Sequence, residues 1–135
     1  MKIIKNYING KIVSYSKKTI PVFDPSKGEI QSEVIMSNTE DFKNAIEASK
    51  KAFENWSEIT PLKRSRILSN YKNIIEKNVE ELAQLVSSEH GKTLEDAKGS
   101  VIRGLEVVEF ACGIPHLLKG EYSQNVGSAI DSWSI

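Results

Sequence analysis

Apolar residues recur at helical spacing over most of residues 39–118, while the two ends of the chain alternate apolar and polar positions in the manner of strands. The longest periodic run lies between Glu89 and Gly120. At about 100° per residue, Leu94, Ala97, Val101, Leu105, Val108 and Cys112 share one narrow stripe. Asp96, Gly99, Arg103 and Glu106 occupy the opposite side, which then turns apolar with Phe110, Ile114 and Leu117. The pattern predicts a central helix over 93–118, capped by Thr93, stopped or kinked near Pro115, and buried on both sides through its second half. At about 1.5 Å per residue such a helix spans nearly a small domain.

Two further helices are expected before it. Ser37-Asn38-Thr39-Glu40 has the S-x-x-E spacing of a capping box, with Thr39 as a competing cap, and a helix over about 39–56 follows. Its face of Phe42, Ala45, Ile46, Ser49, Ala52, Phe53 and Trp56 reads as core packing. Thr60-Pro61 restarts the helical pattern, a hydroxyl at the cap and a proline at the first turn, and predicts a helix over about 60–90. Asn78 is a candidate point of division, and Gly91 fits a left-handed position just beyond the end.

Strands are expected over 3–36. Asn9-Gly10 is a tight-turn signal between Tyr7-Ile8 and Lys11–Tyr15. Ile20–Phe23 ends in the turn chemistry of Asp24-Pro25-Ser26-Lys27-Gly28, and Glu29–Met36 alternates as a half-exposed strand. A small antiparallel sheet results, which needs something to lie against. At the other end, Ser123–Gly127 reads as loop and Ser128–Ile135 as a strand that stops on an apolar residue. An unpaired strand there would be a sticky edge, so the chain is expected to be a fragment of a longer one.

Composition narrows the function classes. With 39% apolar and 27% charged residues the 135-residue chain is globular and at most one ordinary domain. Eighteen acidic and eighteen basic residues balance, giving no field for nucleic acid or an anionic membrane. A single cysteine excludes an internal disulfide, and neither a secretory leader nor a long apolar span is present, so the expectation is a cytoplasmic protein.

Candidate chemistry is sparse. Gly91-Lys92-Thr93 resembles the end of a phosphate loop, but the first glycine is replaced by Val86 and a helix precedes it. No dinucleotide fingerprint occurs, so no cofactor-binding residue is assigned. His90 and His116 have no ligands at metal spacing. Cys112 lies on the apolar stripe and reads as a small core residue, while Glu80/Glu81 and Glu106/Glu109 read as helix surface. No catalytic residue is assigned. Arg103 is the one candidate binding residue, one of only three arginines, at the edge of an expected buried zone. Two readings stay open: an ion pair with Glu106 or a snorkelling side chain, and a guanidinium fork for an anionic ligand.

The stretches Asn6-Tyr7-Ile8-Asn9-Gly10-Lys11, Asp24-Pro25 with Gly28, Ala52-Phe53 with Trp56, and above all Gly91-Lys92-Thr93, Asp96-Ala97, Gly99, Arg103-Gly104 and Val107-Val108-Glu109 resemble the N-terminal portion of an aldehyde dehydrogenase. The likeness points to the methylmalonate-semialdehyde dehydrogenase branch, which acylates coenzyme A, and covers nearly all of the chain. It implies an α/β fold: residues 1–120 as the N-terminal part of the NAD-binding domain, with a small antiparallel sheet and three to four long helices, and residues 121–135 as the start of the oligomerisation hairpin. It also implies a homo-oligomer, a small semialdehyde substrate, NAD held mainly by downstream residues and coenzyme A as co-substrate. A nucleophilic cysteine, an oxyanion asparagine and the nucleotide-binding turn lie downstream in such enzymes, so the 135 residues are expected to be inactive alone and to need the rest of the chain. At the position matching Arg103 the resemblance implies an arginine that grips the substrate carboxylate. A stand-alone helical module for self-association or regulation is the alternative.

Overall fold

The computed structural model describes all residues 1–135 and divides into two compact units, Met1–Ile59 with Val79–Val101, and Thr60–Asn78 with Ile102–Ile135. The first holds strands β1 (Lys2–Ile4), β2 (Asn6–Ile8), β3 (Lys11–Val13), β4 (Thr19–Asp24) and β5 (Glu29–Ile35), helix α1 (Thr39–Trp56) and helix α3 (Val79–His90). The second holds α2 (Pro61–Lys77), α5 (Ile114–Leu117), β6 (Glu121–Gly127) and β7 (Ile130–Ser134). Helix α4 (Leu94–Cys112) contributes its first part to one unit and its second part to the other.

In the first unit Asn9 (φ 52°) and Gly10 (φ 73°) form the turn joining β2 and β3, both in the left-handed region such a turn requires. β4 and β5 pair antiparallel, as alternation predicts, with an irregularity between Val22 and Phe23. The three-stranded sheet is nevertheless mixed, because β1 joins the other edge of β5 in parallel, Ile3 opposite Glu33. A parallel partner this far along the chain has no local sequence signal. The sheet lies against α3, where Gln31 donates to the Ser88 carbonyl at 3.3 Å.

Helix starts follow side-chain chemistry, with one shift. Asn38, not Ser37, caps α1: its Oδ1 accepts from the Glu40 and Asp41 amides, and Asp41 returns the bond to the Asn38 amide at 3.0 Å. Asn38-x-x-Asp41 therefore replaces the expected Ser37-x-x-Glu40 box by a register of one. Thr60 caps α2 with Pro61 in the first turn, and Thr93 Oγ1 accepts from the Asp96 amide at the start of α4.

The single helix expected over 60–90 is two helices. Asn78 (φ −117°, ψ 16°) leaves the helical region, and its side chain donates to the Ile74 carbonyl at 2.7 Å, closing α2. The helix expected over 93–118 is also divided, at Gly113 rather than at Pro115. Pro115 has no N–H for the Ala111 carbonyl and its ring would crowd that turn, so α4 must end before it. Pro115 instead sits in the first turn of α5, where a missing N–H costs nothing. Residues 123–127, expected as loop, belong to β6 and pair with β7.

Burial is shallow. Ala83 on α3 and Ala97 on α4, both fully buried in the first unit, are the only buried apolar residues. The predicted inward stripe of α4 holds from Ala97 onward, with Val101, Leu105, Val108 and Cys112 half-buried, but Leu94 at its start is exposed. The second half is not buried on both sides as expected, because Phe110 and Leu117 opposite the stripe are exposed. The aromatic face of α1, expected as core, is not: Phe53 is 66% exposed, and Phe42 and Trp56 are open as well. The periodicity identifies an apolar face correctly, but these residues supply too little protein to cover it. No helix is long and apolar enough to cross a membrane.

Candidate functional site

Arg103 projects from the second part of α4, and its side chain is exposed rather than at the edge of a buried zone. It takes part in an interaction within the chain. A side chain built onto the next residue, Gly104, would meet nothing within 4 Å, so the helix surface at that position is open. A guanidinium carries a planar fork that suits a carboxylate, within the chain or on a ligand, which a lysine ammonium cannot match in bidentate fashion.

Behind this face, α4 is tied into its unit by polar contacts. Lys72 on α2 bridges Glu76 at 3.1 Å and Glu109 of α4 at 3.2 Å. The hydrogen bonds that Lys72 donates to those two carboxylates hold its ammonium pKa above the ordinary value. Ser65 on α2 donates to the Cys112 carbonyl at 2.6 Å. That carbonyl is available because the break before Pro115 sends the His116 amide to Gly113 instead. Cys112 itself is half-buried, and its thiol turns back to the Val108 carbonyl at 3.3 Å, in keeping with a packing residue.

The Gly91-Lys92-Thr93 stretch is a helix connection and holds no phosphate cradle. Gly91 (φ 79°) terminates α3, its amide bonded to the Ser87 carbonyl. Lys92 is committed to Asp96 at 3.1 Å and Ser100 at 3.0 Å. His90 and His116 are both exposed, and no group of three or more His, Cys, Asp or Glu side chains converges as a metal site would require.

Neither the β5–α1 connection nor the start of α4 fits the pyrophosphate of a nucleotide cofactor. The β5–α1 connection contains no glycine, and the amides opening α1 are taken by Asn38 and Asp41. Helix α4 opens with Glu95 and Asp96, which would repel a pyrophosphate.

Sequence reasoning missed Asp41. It is 2% exposed and accepts from the amides of Tyr15 at 2.7 Å, Ser16 at 3.1 Å and Asn38 at 3.0 Å. The Tyr15 and Asn38 amides, foremost among these donors, hold its carboxyl below the ordinary 3.8. The available signal was the acidic residue three positions after Asn38, overlooked because Ser37 and Glu40 offered a competing pair.

Comparison with known proteins places the arrangement. The malonate-semialdehyde dehydrogenase of Pseudomonas aeruginosa is 43% identical over 134 residues, 99% of this chain and 27% of that protein. The crystal structure of the methylmalonate-semialdehyde dehydrogenase of Oceanimonas doudoroffii superposes with a TM-score of 0.91 at 43% identity, covering 98% of this chain and 27% of that one. A Sinorhizobium meliloti protein assigned the same activity and crystallised with NAD gives a TM-score of 0.90 at 39% identity, again covering 98% and 27%. The chain thus spans about a quarter of the length of these relatives, at their N-terminal side in the expected α/β arrangement. The family model of the aldehyde dehydrogenases matches residues 12–132, and the chain belongs to the aldehyde dehydrogenase family.

Proposed function

We propose that these residues are the N-terminal part of an NAD-dependent, coenzyme A-acylating methylmalonate- or malonate-semialdehyde dehydrogenase, inactive by themselves and acting in the cytoplasm as part of a homo-oligomer. The observation that carries the reading is the 43% identity to a malonate-semialdehyde dehydrogenase over almost the whole chain. The exposed apolar faces of α1 and α4 support it, since surfaces of this kind expect covering protein. NAD would be held by residues other than these, and would accept the hydride from the aldehyde carbon; coenzyme A would accept the acyl group.

In this reading Arg103 is a substrate-binding residue whose guanidinium takes the carboxylate of the semialdehyde. The test is Arg103→Lys in the complete enzyme. A lysine keeps the charge but loses the fork, so KM for malonate semialdehyde is expected to rise about tenfold, the equivalent of one charge-assisted hydrogen bond. An aldehyde without a carboxylate should be processed as before. An unchanged KM for the semialdehyde would return Arg103 to an ion-pairing role on the helix surface. Inactivity of the 135 residues alone is checked by mixing them with NAD, semialdehyde and coenzyme A; any NADH formed above background overturns it.

One observation favours a second reading, a self-associating module. Every residue of β6 and β7 except Gly127 is exposed, including Trp133 at 70%, so the hairpin offers both apolar surface and strand edges to another copy. A monomer by sedimentation would count against it.

A further inference from the structure

We draw no further inference here: the strongest candidate, the open apolar groove of about 460 Å³ beside β1 and α3 lined by Ile3, Ile4, Ile12, Leu85 and Val86, is an unpartnered face and nothing in the structure shows what covers it.

Discussion

The Asp41 carboxylate accepts a 2.7 Å hydrogen bond from the Tyr15 amide, twenty-six residues earlier in the chain. Because the same side chain also closes the capping box of α1, one buried group fixes both the start of a helix and the path of the connection between β3 and β4. Three backbone amides converge on its two oxygens, an arrangement that favours the ionised, acceptor-only carboxylate.

The first prediction follows from that ionisation. The folded-state pKa lies below the ordinary 3.8, so the stabilisation is fully present above 3.8 and is lost as pH falls through the depressed folded value. Asp41→Asn keeps the shape but loses the charge and turns an amide NH₂ toward backbone donors. At neutral pH it should unfold at a lower temperature than the parent chain. Its midpoint should also respond less to acidification below 3.8. Thermal unfolding followed by circular dichroism across acidic and neutral buffers reads both effects. Parallel curves for the two proteins would refute the assignment.

A second prediction concerns Gly91, where two separate costs coincide. Its φ of 79° is disfavoured for any residue with a Cβ, at about 1–2 kcal/mol, and a Cβ there would also meet Pro25 Cγ at 2.9 Å. Gly28 has nearly the same φ, 72°, with nothing within 4 Å. Gly28→Ala should therefore carry only the backbone cost, and Gly91→Ala should be the more destabilising by about 1 kcal/mol or more. Urea unfolding of the two variants measures the difference. Equal losses would mean that Pro25 gives way freely.

How far the fold is legible in the sequence depends on where each determinant lies. The turn at Asn9-Gly10, the caps at Thr60 and Thr93, the stop at Gly91 and the inward stripe of α4 from Ala97 to Cys112 are all set within a few residues, and all are read correctly. The parallel pairing of β1 with β5 joins residues about thirty apart, Lys2 with Ser32, and no local pattern encodes it. Polar Ser123–Gly127 reads as loop because its strand character comes from pairing with β7 rather than from its own residues. Periodicity marks Phe42 and Phe53 as an apolar face but cannot say what covers it. Arg103 is legible only as a charge on a helix; the substrate-binding role proposed for it rests on the likeness to semialdehyde dehydrogenases and is tested by kinetics.

The third prediction isolates the bond between Ser65 and Cys112. Pro115 forces α4 to end early, and the carbonyl that loses its helical partner is taken by the Ser65 hydroxyl at 2.6 Å. Ser65→Ala leaves that half-buried carbonyl without its donor, at a cost of about 1 kcal/mol. Ser65→Thr retains the hydroxyl and should recover most of the loss. The comparison is made by chemical denaturation; indistinguishable alanine and threonine variants would show that the bond adds nothing.

The last prediction bears on both readings of the protein. Phe110 on α4 and Trp133 on β7 are each 70% exposed, although both carry large apolar surface. At about 25 cal/mol per Å² such surface favours any contact that removes it from water. The 135-residue chain alone should therefore bind a hydrophobic dye and sediment above its monomer mass of 15.1 kDa. Trp133→Ser and Phe110→Ser separate the surfaces. If the chain is part of a dehydrogenase, each substitution should reduce dye binding partially and independently, because α4 and the hairpin await different portions of the enzyme. If it is a self-associating module, Trp133→Ser should abolish oligomers while Phe110→Ser leaves them intact. A dye-silent monomer before any substitution would refute the premise common to both, that these faces seek covering protein.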